Sequence, residues 1–492
     1  MKIVFVASES VPYSKTGGLA DVVGALPKAL ASLGCEVEVI LPRYRITKPG
    51  AVVPGAESLT IPLSGGFKFA SIQAAGQASG VRTYLIDCPE LFDRDGLYMA
   101  SGKDYPDNAE RFAAFSLAAL EFIKRSSNPP AVIHCHDWQS ALLPVYLRSL
   151  YAEDPFYENT SVLFTIHNMG YQGLFPPEIM PRISINKNLF KIEGLEYYGK
   201  VNLLKGGIVL ADFVSTVSQK YAQEIQTDEF GHGLEGVLRS RADHLVGILN
   251  GVDYEDWNPA TDKLIPANYT PEDMTGKEVC KKALLETLGA HNPILDRPVL
   301  GIVSRFVRQK GFDLIAQITD ELMQQELYIV ALGTGEPEYE ELFRSLAEKY
   351  PEKFLVKVAY DNALAHQIEA GADMFLMPSR YEPCGLNQIY SMKYGTVPVV
   401  RATGGLDDTV QPFDGDKGTG FRFRQYSPVA LLACLQRALA TFHDRQAWSK
   451  LQQNCMQEDF SWTQSARKYA NLYEDLCAAK AKEKASSTIA VS

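Results

Sequence analysis

Apolar positions along this chain follow two periods, and the alternation between them repeats. Residues 2–7 form an apolar, β-branched run, the signature of a strand buried on both faces. Residues 19–33 carry apolar side chains at helical spacing, and Gly34 stands where a helix C-terminus favours glycine. Residues 37–41 read as the next strand, 131–135 and 162–166 as further strands, and 209–217 surround another. Strands alternating with helices predict parallel sheets covered on both faces, an α/β fold.

The pattern breaks after Gly247–Gly251. Residues 254–298 are rich in Pro, Asp, Asn and Thr, with one helical stretch at 276–288, and read as a crossover between domains. A second alternating series follows. Strands are expected at 299–304, 328–332, 354–359, 374–378 and 397–401, with helices at 312–324 and 339–350. Two doubly wound, Rossmann-like domains facing a central cleft are therefore expected, the first over 1–252 and the second over 253–462. Sheets of this kind bind ligands at the carboxyl ends of their strands. Residues 478–492 lose periodicity, become rich in Ala, Lys and Ser, and are expected to be disordered.

Composition narrows the class. The 492 residues are 46% hydrophobic and 22% charged, ordinary for a globular protein, and long enough for large cores without disulfide or metal staples. The formal net charge of −11 argues against general nucleic-acid binding. The sequence has no secretory h-region and no run of 18 apolar residues, so neither export nor a membrane span is expected. Eight scattered cysteines without a CxxC pair read as reduced thiols in a cytoplasmic compartment. Nothing in the sequence fixes an oligomeric state.

Candidate chemistry falls in loops after predicted strands. Ser14-Lys15-Thr16-Gly17-Gly18-Leu19-Ala20-Asp21 places two glycines before a helix, beside a lysine. Backbone N–H groups and a helix N-terminus can receive an anion there, although an ordinary glycine turn has the same look. The loop matches neither the GxGxxG nor the GxxxxGK[ST] spacing. His134-Cys135-His136-Asp137-Trp138 closes a strand. Alternation sends His134 and His136 to one face and Cys135 to the other, a poor metal set, whereas Asp137 and Trp138 suit sugar hydroxyls and C–H surfaces. Ile166-His167-Asn168 ends another strand. In the second half, Arg305 and Lys310 flank a strand-to-helix turn and can converge on a phosphate. The segment Arg380-Tyr381-Glu382-Pro383-Cys384-Gly385-Leu386 can present a carboxylate with backbone amides, and Thr403-Gly404-Gly405-Leu406 repeats the glycine-helix device. Asp414-Gly415-Asp416 matches a DxD pattern but lies among Pro412, Gly418 and Gly420, so a solvent-facing turn is expected.

Taken in order, six of these segments resemble the glycogen and starch synthases of bacteria and plastids: 15–22, His136-Asp137-Trp138, His167-Asn168, Arg305 with Lys310-Gly311, 382–386, and 403–406. The resemblance spans about residues 1–473. It implies a GT-B architecture and a helix over 463–477 that crosses back to the N-terminal domain. It also implies a retaining glucosyl transfer from ADP-glucose to the non-reducing end of an α-1,4-glucan such as glycogen, starch or a maltooligosaccharide. No metal or other cofactor is expected.

The resemblance further assigns roles. Lys15, Thr16, Gly17, Gly18 and Asp21 would lie at the donor phosphates and glucose, and Arg305 and Lys310 at the diphosphate, with Thr403, Gly404 and Gly405 adding amides to it. Asp137, Trp138, His167, Asn168, Asn250 and Glu382 would surround the glucosyl unit. Tyr360 would lie against the nucleotide. Cys384, Gly385 and Leu386 would meet sugar hydroxyls through the backbone, and Asn387 would tune the nucleotide contact. Lys15, Asp137, His167, Arg305, Lys310 and Glu382 are the expected catalytic set. Many retaining GT-B enzymes carry a second Glu eight residues after the first; here the position is Tyr390. Same-face attack assisted by the departing phosphate is the expected course. Three other readings share much of this pattern: a UDP-glucose-dependent relative, a glucan-binding or priming scaffold without turnover, and a nicotinamide-dependent dehydrogenase. The absent GxGxxG disfavours the last.

Overall fold

The computed structural model describes residues 1–48, 50–53, 58–63, 66–290 and 292–491. The chain divides into two compact units. The first contains residues 1–217, 222–251 and 462–492; the second contains 218–221 and 252–461.

The sheet of the first unit runs in the order Leu245–Gly247, Phe213–Thr216, Ser161–Ile166, Val132–His136, Lys2–Val6, Glu36–Pro42 and Val81–Asp87, all parallel. Gly66–Ala78 then pairs antiparallel with Val81–Asp87. The strand Lys2–Val6 is wholly buried because both faces are covered, and its run of β-branched and aromatic side chains fits that setting. Helix Gly18–Ser32 buries Leu19, Val22, Val23, Leu26 and Leu30 in the same core as Tyr469 and Tyr473 of the long helix Trp462–Val491.

That helix exceeds what the sequence pattern suggested. It begins at Trp462 and continues to Val491, through most of the stretch expected to be disordered; Ser492 lies outside the described residues. Ala, Lys and Glu make up all of residues 478–485, and their intrinsic helix propensity carries the helix beyond the periodic stretch. Tyr473 fastens the helix to the sheet. Its hydroxyl is 2.8 Å from His134 Nδ1, His134 Nε2 is 2.6 Å from Thr165 Oγ1, and Thr165 Oγ1 is 2.6 Å from Ser215 Oγ.

The second unit holds a six-stranded, all-parallel sheet in the order Phe354–Val358, Tyr328–Gly333, Val299–Val303, Met374–Met377, Val397–Arg401 and Phe421–Phe423. Residues 254–298, read from sequence as a crossover, pack here as part of this unit. Helix Thr275–Thr287 buries Cys280, Leu284 and Leu285. Asp262 accepts from Tyr394 Oη at 2.5 Å and pairs with His366 Nδ1 at 2.8 Å, which pins the proline-rich stretch. Among the described residues no helix is long and apolar enough to cross a membrane.

Candidate active site

In the parallel part of each large sheet the strand order changes direction at one place, and such switch points open a crevice at the carboxyl ends. In the first unit it lies between Lys2–Val6 and Val132–His136. The loop after Lys2–Val6 is organised by Glu9, which is 3% exposed. Its carboxylate accepts from Thr16 Oγ1 at 2.6 Å, from the Tyr98 hydroxyl at 2.5 Å, from the Gly17 N–H at 3.3 Å, and from the Thr16 N–H. The expectation that the Gly17 amide faces a phosphate is therefore corrected: an internal carboxylate already takes it. Gly18 begins the helix, and exposed Lys15 pairs with Asp21 at 2.7 Å.

Asp137 sits directly after Val132–His136 with φ +54°, a left-handed conformation that Asp tolerates better than most residues. The turn directs its carboxylate at the end of the neighbouring strand, where it accepts the His167 N–H at 2.7 Å. Burial pushes the Asp137 carboxyl up to about 7, although the His167 and Asn168 amides pull the other way; Glu9 adds to the rise. His167 Nε2 lies 3.0 Å from His136 Nδ1, and burial holds His167 neutral, with its pKa down at about 3. Asn168 Oδ1 accepts the Gly170 N–H at 2.9 Å. Asn250 is buried, and its Oδ1 has no partner among the described residues, as a ligand-facing acceptor would.

Trp138 does not offer its indole face to a sugar. It is buried edge-on to Phe112 at 5.1 Å, and the backbone of Gly173 lies against it so closely that a Cβ there would be 2.7 Å from the ring. Gly173, at φ +64°, is what lets the loop pass. Trp138 thus holds up the site from beneath.

In the second unit the reversal lies between Val299–Val303 and Met374–Met377. Lys310, from the turn Arg308–Lys310, meets Glu382 Oε2 across it at 2.6 Å. Ser379 Oγ donates to the same oxygen at 3.1 Å, and the Glu382 side chain is buried. Gln309 Nε2 donates to the Tyr381 carbonyl at 3.1 Å, and Arg401 donates to the carbonyls of Ser379 and Arg380, so both flanks of the loop are tied down. Arg305 stands exposed two residues beyond Val299–Val303, and Tyr360, 82% exposed, two residues beyond Phe354–Val358.

Gly404 and Gly405 pack under the loop that carries Glu382. A Cβ on Gly404 would lie 1.9 Å from the Glu382 carbonyl oxygen, and one on Gly405 2.0 Å from that of Cys384. The Gly405 N–H is donated to the Glu382 and Pro383 carbonyls at 3.1 and 3.2 Å, so this amide is not open to a diphosphate, contrary to the sequence reading. Thr403 is buried at the helix start, Cys384 is buried, Gly385 takes φ +70°, and Leu386 precedes helix Asn387–Lys393. Asn387 Nδ2 donates to the Val303 carbonyl at 2.9 Å, holding that helix to the first strand of the sheet. Tyr390 lies in the core, stacked on Trp257 at 4.1 Å and 7°. Asp414 accepts the Asp416 and Lys417 amides in an exposed turn. Among the described residues no group of three or more His, Cys, Asp or Glu side chains could hold a metal ion.

Comparison with known proteins finds relatives that match nearly the whole chain. The family described as starch synthase catalytic domain matches residues 2–240, and that described as glycosyl transferases group 1 matches 287–454. A glycogen synthase of Koribacter versatilis (strain Ellin345) is 55% identical over 476 residues, 96% of this chain and 98% of the relative. The chain belongs to the glycogen and starch synthases. A glycogen synthase of Anaeromyxobacter dehalogenans (strain 2CP-C) is 47% identical over 97% of this chain and 100% of its own length. Among solved structures, the catalytic domain of starch synthase IV from Arabidopsis thaliana, bound to ADP and acarbose, superposes with a TM-score of 0.88. It shares 34% identity and covers 97% of this chain and 99% of its own. The fold is that of the GT-B glycosyltransferases, as the synthase resemblance implied.

For a synthase of this family, sequence reasoning gives no site role to three residues that shape the first unit's crevice: Glu9, Tyr98 and His136, the last of them already part of the His136-Asp137-Trp138 segment. Glu9 and His136 sit within three residues of a strand end, a weak signal on its own. Tyr98 reaches Glu9 from 89 residues away, and no local pattern announces that.

Proposed function

We propose that this protein elongates α-1,4-glucans by moving glucose from ADP-glucose to the non-reducing end, with retention at the anomeric carbon. The observation that carries this reading is the Lys310–Glu382 pair at the reversal point of an all-parallel sheet. A cation and a carboxylate, 2.6 Å apart and largely buried, occupy the place where such sheets bind nucleotides. Arg305 and Lys310 would stabilise charge on the leaving diphosphate as the C1–O bond breaks. Ionised Asp137 would stabilise the opposite charge on the sugar ring. His167, neutral and half-buried, would hold a sugar hydroxyl. The acceptor hydroxyl would attack on the face the diphosphate leaves and pass its proton to a departing phosphate oxygen. The charge work is assigned to lysine and arginine rather than to a metal or organic cofactor. The eight cysteines stand as free thiols, which supports a reducing, cytoplasmic setting.

The test is product analysis after incubation with ADP-glucose and a defined maltooligosaccharide, with UDP-glucose in parallel. Stepwise lengthening with ADP-glucose is expected, the new linkage keeping the donor's configuration. Elongation by UDP-glucose alone would reassign the donor, and none from either sugar nucleotide would reject the reading. Lys310→Ala is expected to lower kcat/KM by about a hundredfold or more, the scale of removing one transition-state contact, while circular dichroism stays native.

A further inference from the structure

The two histidines at the carboxyl edge of the first unit's sheet differ in surroundings, and that difference fixes where their protons sit. His136 is wholly buried at the end of Val132–His136, whereas His167 is half-buried after Ser161–Ile166. They share one hydrogen bond, 3.0 Å between His136 Nδ1 and His167 Nε2. Burial keeps both rings neutral, so each carries one proton. His136 Nε2 is buried and has no partner among the described residues.

Two arrangements satisfy the shared bond. If His167 Nε2–H donated, the proton of His136 would sit on Nε2, leaving a buried N–H without an acceptor. If His136 Nδ1–H donates, the unmatched atom is a lone pair, which is the less costly orphan. The second arrangement also leaves His167 protonated on Nδ1.

We infer that His136 is a positioning residue that locks His167 in its Nδ1–H form, so that His167 meets the glucosyl unit as a hydrogen-bond donor beside the acceptor Asp137. This rests on the glucosyl transfer proposed above. A donor and a carboxylate side by side select a ligand group that both accepts and donates, as paired sugar hydroxyls do. A ring whose proton could move between its nitrogens would present a lone pair part of the time and lose that selection.

Nitrogen NMR of the protein labelled at its histidines reads the proton position directly, with His167→Gln identifying the signals of residue 167. A protonated Nδ1 and a bare Nε2 in the free enzyme are expected. The opposite pattern overturns the inference whatever the enzyme's substrate, so its failure is separate from failure of the functional reading. Variants give a second measurement. His136→Asn keeps a donor near the Nδ1 position and is expected to hold kcat/KM within about threefold of the natural enzyme. His136→Asp replaces the donor by an acceptor, and His136→Leu offers neither; each is expected to lose about tenfold or more, the weight of one hydrogen bond to substrate. Affinity for ADP, which lacks the sugar, is expected to change by less than about twofold. Equal activity in the Asn and Leu variants would sink the proposal. If a variant does not fold, the spectrum of the natural protein decides alone.

Discussion

At Asp137, burial and the proposed role pull in opposite directions. Its folded pKa of about 7 lies above the roughly 3.9 of an unfolded aspartate. The folded chain therefore binds that proton more tightly than the unfolded chain does. The stability this group contributes is complete below about pH 4, fades as pH climbs to about 7, and is absent above. Asp137→Asn is expected to raise the first thermal transition at pH 8 by a few degrees, about 1 kcal/mol, and to leave it unchanged near pH 4. The same variant is expected to lose most transfer activity. In the natural enzyme kcat/KM is expected to rise with pH through about 7, because the proposed role of Asp137 requires its ionised form. Scanning calorimetry and initial rates at matched pH check both statements. A stability gain that did not grow with pH would remove burial as the cause.

At the scale of elements, the loops that carry chemistry owe their shapes to contacts distant in sequence. Gly404, at φ +47°, lets its helix start lie under the Glu382 carbonyl. Gly404→Ala would drive the backbone of Glu382 and Pro383 outward and is expected to weaken ADP binding by about tenfold or more, read by calorimetry, with the rest of the second unit still folded. The sequence reveals this part well: strand, paired glycines and helix follow one another locally, so the place of Lys310, Glu382 and Gly404 was legible. What lay hidden was direction. Nothing in the spacing shows that the Gly405 and Gly17 amides are spent on internal oxygens, or that Trp138 lies beneath the floor. Those outcomes depend on the Glu382 and Pro383 carbonyls at Gly405, on Glu9 braced by Tyr98 at Gly17, and on Gly173 at Trp138. The tail was misread for a different reason: its helix rests on propensity, and the expectation rested on periodicity.

For the whole molecule, the last helix belongs to the first unit although the second intervenes in sequence. Ending the chain at residue 461 would uncover the core that Tyr469 and Tyr473 fill, and insoluble protein is expected. Ending it at 477 spares those rings, and activity within about twofold is expected; expression yield and specific activity separate the two. The junctions carry a wider consequence. Within the second unit, Val252 donates its N–H to Phe460 at 2.9 Å and bridges to Ser461, so the entry and exit of that unit adjoin. Within the first, Gly251 lies so near Trp462 that a Cβ would stand 2.6 Å from that residue's Cα. Each body therefore closes upon its own cut ends, apart from the four-residue excursion at 218–221. A second unit whose termini already meet can be lifted out, permuted or exchanged between synthases as a cassette, and the first unit healed with a turn of a few residues.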